Sequence, residues 1–276
     1  MTVVMEMRDV NVGGVTVGMF GFPSDPYFEH IQQASDGNSS WEYALGLMPS
    51  GAVIIDIGAN IGTTSVLAAA QYDVTVHAME PSPRARECLE ASIAHNTLIG
   101  SVIVEGCAIA DRTGVANFFE ASFLAGSHLT NGEDTHATRS GFSVPLMTLD
   151  HYVEKAGLTR IDMIKIDVEG FEQDVLDGAK DTLAKFRPIV IMEFNAWTIT
   201  AFRNMSPRAL LDTIRERFGT AYILREGAVS SIASADDYLA FLHRHLLRHG
   251  CVDDLIFCAD PSRLATLAAT ATPVTF

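Results

Sequence analysis

Residues 53–62 constrain this chain more than any other stretch. Val53-Ile54-Ile55-Asp56-Ile57 is an apolar run broken by a single acid, and Gly58-Ala59-Asn60-Ile61-Gly62 follows it directly. An apolar run of this kind suits a strand buried on both faces, as in parallel sheets covered by helices on either side. The two glycines permit a tight turn and a close approach of backbone to a ligand. Thr63 to Gln71 then reads as a helix. Strand, glycine turn and helix in this order put the turn at the carboxyl end of a strand, where open α/β sheets bind ligands.

The pattern repeats downstream. Val74 to Met79 reads as a strand and Ser82 to Asn96 as a helix, and a third strand begins at Val102 to Val104. Met163 to Asp167 is a fourth strand, with one helix expected over Phe171 to Lys185. Ile189 to Phe194 is a fifth, followed by a helix over Pro207 to Phe218. Alternating strands and helices predict a mostly parallel, Rossmann-like α/β sheet. Ala221 to Leu224 and Asp254 to Cys258 flank a helix over Asp236 to His249 and are expected to close the sheet as an antiparallel pair. Upstream, Val3 to Phe20 alternates around Gly13-Gly14 and predicts a β-hairpin, with a short helix over Trp41 to Met48. The expected division is an N-terminal extension over 1–48, hairpin and connecting segment, and a Rossmann-like domain over 49–276.

Composition narrows the partners. The net charge of −15 over 276 residues repels phosphate backbones, so nucleic acid is not expected as a substrate. No apolar run reaches the ~20 residues of a membrane span, and residues 1–9 lack a signal-peptide core, so a cytoplasmic location is expected. Cys88, Cys107, Cys251 and Cys258 form no CxxC pair and read as small buried hydrophobes.

Two cofactor classes use a strand-turn-helix of this kind. A dinucleotide site needs G-x-G-x-x-G, so that a helix N-terminus meets a pyrophosphate. Here Asn60 and Thr63 occupy the second and third glycine positions. S-adenosylmethionine has no phosphate but carries an amino-acid end, which a D-x-G-x-N-x-G turn can cradle. Glu80, at the end of the second strand, is placed to accept hydrogen bonds from ribose hydroxyls.

Several blocks together resemble the FkbM-type methyltransferases: Ile55 to Gly62, Glu80-Pro81, Ala108 to Gly114, Thr148-Leu149-Asp150, Lys165-Ile166-Asp167-Val168-Glu169-Gly170-Phe171-Glu172 and Asp254 to Phe257. The similarity runs from about Trp41 to Asp260, and the block at 165–172 is its most specific part. It implies a class I methyltransferase sheet and methyl transfer from S-adenosylmethionine, usually to oxygen, on natural products or sugars. By the same resemblance, Asp56, Gly58, Asn60 and Gly62 would hold the methionine end and Glu80 the ribose. The Ala108 backbone would meet the adenine, and Glu42, after Trp41, would lie near the cofactor. Related enzymes often carry an acid on the adenine amino group where this chain has Cys107.

The chemistry is expected across the sheet's switch point. Asp167 and Glu169, at the end of the fourth strand, are candidates for a base, a ligand to a divalent cation or a holder of substrate hydroxyls. The sequence carries no clear metal-binding motif. Glu172, one turn into the helix, reads as N-terminal stabilisation. Glu193 and Asn195, ending the fifth strand, are candidate substrate contacts. His128 lies in a polar stretch over Ala121 to Ser143, read as a lid, and is a candidate base titrating near neutrality. His243, His245 and His249 read as a solvated helical face.

The leading expectation is O-methylation of a small hydroxylated molecule. N-methylation of a small amine is the alternative, because these residues do not separate an amine from a hydroxyl. A nucleotide-cofactor oxidoreductase lacks its glycine fingerprint, and a binding module without catalysis would have no use for Asp56, Glu80, Asp167 and Glu169 together.

Overall fold

The computed structural model describes residues 4–33, 40–120, 126–130 and 141–275. The chain opens with a hairpin, β1 (Glu6–Val12) and β2 (Val15–Gly21), turning through Gly13 and Gly14. Both glycines have positive φ, as the tight primed hairpin turns require. Two short helices, α1 (Pro26–Glu29) and α2 (Ser40–Leu45), lead to the sheet.

The first half of the sheet is β3 (Ala52–Ile57), α3 (Thr63–Gln71), β4 (Val74–Met79), α4 (Pro83–His95) and β5 (Ser101–Glu105). A small second sheet follows, made of β6 (Ala108–Ile109), β7 (Gly114–Phe119), β8 (His128–Thr130) and β9 (Phe142–Met147), in the order β6-β9-β7-β8. The main sheet resumes after α5 (Leu149–Lys155) with β10 (Met163–Ile166), α6 (Glu172–Asp177), α7 (Lys180–Phe186) and β11 (Ile189–Asn195). The remainder is α8 (Ala196–Ala201), α9 (Pro207–Phe218), β12 (Ala221–Arg225), β13 (Ala228–Ile232), α10 (Ala235–Arg248), β14 (Val252–Phe257), α11 (Ala265–Thr270) and β15 (Thr272–Pro273).

The main sheet has the order β15-β13-β12-β14-β11-β10-β3-β4-β5. Strands β11, β10, β3, β4 and β5 are mutually parallel, and β14 closes against β11 antiparallel, as expected. One face is covered by a cluster that includes Leu149, Tyr152, Val175, Leu210, Ile214 and Phe241. The other is covered by Trp41, Ala44, Leu45, Ala68, Leu264 and Leu267. Burial on both faces is why β3, β10 and β11 read as apolar runs.

The hairpin docks on α3 and α4. Val10, Val17 and Met19 share a core with Val66, Leu67 and Leu89. Each such burial contributes about 1.5–3 kcal/mol. The docking is keyed by polar contacts: the Gly18 N–H donates to Asn96 Oδ1 at 2.9 Å, and the Phe20 N–H donates to Ser92 Oγ at 2.9 Å.

Two expectations are corrected. The helix expected over Phe171 to Lys185 is two helices, α6 and α7, separated at Gly178-Ala179. Gly178 presses on the chain at Ala110, whose carbonyl oxygen would lie 2.0 Å from a Cβ there. The histidines of α10 are not all solvated. His245 is fully buried beside Tyr238 and Phe241, on the helix's apolar stripe, and its Nδ1 bonds Asp253 at 2.7 Å. Asp253 also bonds His249 and Arg225, so His245 is a paired core residue. Among the described residues no helix is long and apolar enough to cross a membrane.

Candidate active site

A cleft of about 280 Å³ opens at the carboxyl ends of β3, β4, β10 and β11. One half is built by the glycine turn. Gly58 has φ +83°, and a Cβ there would lie 1.8 Å from the Asp167 carbonyl oxygen, so the turn is pressed against the end of β10. The N–H groups of Gly58 and Ala59 both donate to the Met79 carbonyl, at 3.0 and 3.1 Å. Asn60 adopts φ +51°, and its N–H donates to Glu80 Oε2 at 2.8 Å. Gly62, at φ +93°, starts α3 against Leu89 and does not line the cleft.

Glu80 is buried and lines the cleft. Its second oxygen accepts the Ser82 N–H at 2.8 Å. Burial raises its pKa to about 7, against the lowering effect of the two N–H donors. Ile57, Met79, Cys107, Ala108, Ile109 and Phe118 supply an apolar wall beside it. Burial pushes the Cys107 thiol up to about 11, so at neutral pH this position offers no charge.

Asp56 stands behind this surface and not on it. It is fully buried, accepts from Thr64 Oγ1 and Ser65 Oγ at 2.6 Å each, and lies 3.7 Å from Lys165 Nζ. Lys165 is its register partner across β3 and β10. Glu42 is half-buried on α2, away from the cleft lining. Asn195 also lies outside the lining and caps α8, accepting the N–H groups of Trp197 and Thr198.

The other half of the cleft is acidic. Asp167, Glu169 and Glu193 line it, and Lys165 Nζ donates to Asp167 Oδ2 at 3.0 Å. Burial opposes the charge on Lys165, but Asp167 and Asp56 outweigh it and hold the ammonium well above its usual range. Burial and then Asp167 raise Glu169 to about 8, and the same two causes push Glu193 well above the usual carboxylate range. Glu172 does not reach the cleft. Its Oε1 accepts the Gly170 N–H at 3.0 Å and holds the turn that carries Glu169 at φ +54°.

His128 completes the wall. It is buried, stacks on Phe202 and lines the cleft, and its Nδ1 lies 3.0 Å from the Gly126 carbonyl oxygen. Most of the stretch read as a lid, at 121–125 and 131–140, lies outside the described residues.

Sequence reasoning missed Tyr27 and Lys165. Tyr27 comes from the connecting segment after the hairpin, lines the cleft and donates to Thr63 Oγ1 at 3.1 Å. No local signal marks it. Lys165 did carry one, because a lysine inside an apolar strand needs a carboxylate partner.

The turn fits a ligand with an amino-acid end. Asn60 Oδ1 is a buried acceptor with no hydrogen-bond partner at the cleft wall, suited to an ammonium donor, and Gly58 leaves no room for a side chain. Glu80 lines the cleft beside it.

The family model described as the methyltransferase FkbM domain matches residues 56–225. The 31-O-demethyl-FK506 methyltransferase FkbM of Streptomyces tacrolimicus is 30% identical over 159 residues, covering 48% of this chain and 60% of that protein. The 2-O-methyltransferase NoeI of Sinorhizobium fredii is 30% identical over 150 residues, covering 49% and 60%. The chain thus spans about 60% of the length of these two relatives. Among solved structures, the T. thermophilus 16S rRNA N2 G1207 methyltransferase aligns over 93% of this chain and 51% of its own, with 12% identity and a TM-score of 0.43.

Proposed function

The chain belongs to the FkbM methyltransferase family, and from that premise we propose that it transfers a methyl group from S-adenosylmethionine to a hydroxyl of a small metabolite, natural product or sugar. The observation that carries the reading is the two-sided cleft. The Gly58–Asn60 turn and Glu80 form one side, and Asp167, Glu169, Glu193 and His128 form the other. When bound, the cofactor supplies a sulfonium methyl that is already electrophilic, so the protein's tasks are alignment and removal of a proton.

In this reading Asn60 Oδ1 receives the ammonium, Glu80 the ribose hydroxyls, and the apolar wall at Met79, Ala108 and Phe118 the adenine. Asp56 acts indirectly, holding α3 and Lys165 in place. The acidic half takes the acceptor. His128 is the candidate base, and its Nδ1, 3.0 Å from a Gly126 carbonyl oxygen that can only accept, supports an imidazole protonated on Nδ1. Oxygen as the acceptor atom is supported by the relatives named for 31-O and 2-O positions. The net charge of −15 supports a small acceptor over a nucleic acid.

The test is calorimetric titration with S-adenosylmethionine, its demethylated product and NAD, followed by a screen of hydroxylated acceptors. Binding of the first two without NAD is expected. Binding of NAD alone would overturn the cofactor assignment.

A further inference from the structure

We propose that Asp167, Glu169 and Glu193 form a divalent-cation site in the acceptor half of the cleft. One carboxylate oxygen from each lies within 4.8 Å of the others. Oxygens bound to one hard cation at ~2.1–2.5 Å are roughly 3–3.5 Å apart when adjacent and roughly 4.2–5 Å apart when opposite. Three ligands can therefore close on one ion with little movement.

An independent observation points to a ligand there. Glu193 Oε2 is sealed from solvent and has no hydrogen-bond partner, although Glu193 lines the cleft. A buried carboxylate oxygen without a donor is costly unless something cationic meets it. Charge balance agrees. Among the described residues Lys165 is the cation in contact with this group, and it is shared between Asp167 and Asp56. Asp254, the register partner of Glu193 across β11 and β14, adds a further carboxylate behind the three. Glu172 adds another and is already committed to the Gly170 turn.

The chemistry of the donors selects the ion. An all-carboxylate set suits Mg²⁺, Mn²⁺ or Ca²⁺ and does not favour Zn²⁺ or copper. Three protein ligands on a six-coordinate ion leave about three positions for water or for the acceptor. An acceptor with two neighbouring oxygens, a vicinal diol or a hydroxy acid, would chelate there and be held facing the methyl donor. That substrate class rests on the methyl-transfer reading; the metal site does not.

The test titrates MnCl₂ alone into the full chain, followed by electron paramagnetic resonance of free Mn²⁺, with Mg²⁺ as competitor. One saturable Mn²⁺ per chain, displaced by Mg²⁺, is expected. Glu193→Gln and Glu169→Gln should each weaken it by about tenfold or more while still binding the demethylated cofactor, which shows that they fold. No saturable Mn²⁺ on the parent chain overturns the proposal, and that measurement needs no variant. Mn²⁺ binding that both variants keep also overturns it. Saturable Mn²⁺ binding by a parent chain that binds no S-adenosylmethionine would sink the cofactor reading and leave the metal site standing. Cofactor binding with no Mn²⁺ binding would do the reverse.

Discussion

Glu80 Oε2 accepts the backbone N–H of Asn60 at 2.8 Å, so the acid ending β4 and the turn ending β3 are one unit. Replacing the acid therefore has two effects. Glu80→Ala leaves the N–H groups of Asn60 and Ser82 without their acceptor, each at a cost of about 1–3 kcal/mol if no water replaces it. It also removes the proposed hydrogen-bonding partner of the ligand, worth about 1.5–3 kcal/mol for a charged group. The expected result is a lower melting temperature and an S-adenosylmethionine Kd raised by roughly 10–150-fold. Calorimetry beside thermal melting checks both, and unchanged affinity would remove Glu80 from the ribose role.

The same residue predicts a pH dependence. Its folded pKa of about 7 lies above the ~4.3 of a free glutamate. Its contribution to the stability of the unliganded chain is thus fully present below the unfolded value and is lost as pH rises through about 7. Ligand binding runs the other way, because hydroxyl donors favour the ionised carboxylate. Affinity for S-adenosylmethionine should climb between about pH 6 and 8 and then level off. Glu80→Gln should flatten that rise. A profile that is flat in the parent, or that survives the substitution, would contradict this.

His128 stacks on Phe202 with ring centroids 3.7 Å apart and planes 4° from parallel. His128→Gln removes the proposed base and should lower single-turnover methyl transfer by ~10²–10⁴-fold with little change in cofactor affinity. Phe202→Leu keeps the base and loses the stacking, so its loss in rate should be smaller. Equal effects from the two would mark His128 as a packing residue.

Gly58 and Gly62 should differ in tolerance. A Cβ at Gly58 would meet the Asp167 backbone oxygen at 1.8 Å, whereas at Gly62 it would meet the Leu89 side chain at 2.1 Å. Backbone on β10 cannot move without dragging the sheet, while Leu89 can change rotamer. Both positions have positive φ, which adds about 1–3 kcal/mol of strain. Gly58→Ala should abolish cofactor binding and lower the melting temperature more than Gly62→Ala does. Circular dichroism melts and calorimetry on the two variants check the order.

Much of this protein was legible in the sequence because burial on both faces leaves a local mark. The apolar runs of β3, β10 and β11, the glycine turn at 58–62 and the acid at Glu80 could be read from neighbours alone, and so could the family resemblance at 165–172. The break at Gly178 could not, because it answers to the Ala110 carbonyl far away in the chain. Nor could the burial of His245, which depends on Asp253 waiting on the next strand.

The candidate site divides in the same way. Sequence position put Asp167, Glu169 and Glu193 at strand ends. Only the parallel pairing of β10 with β11 brings their oxygens within 4.8 Å of one another. Sequence position also put Asp56 in the motif, and only the packed structure shows it buried under Thr64, Ser65 and Lys165, behind the cleft surface. Tyr27 reaches the cleft because the hairpin docks on α3 and α4. Strand periodicity is a property of adjacent residues and survives in one dimension. Which carboxylates share a cleft, and which lysine they share, depends on pairings between distant segments, and only the packed sheet decides that.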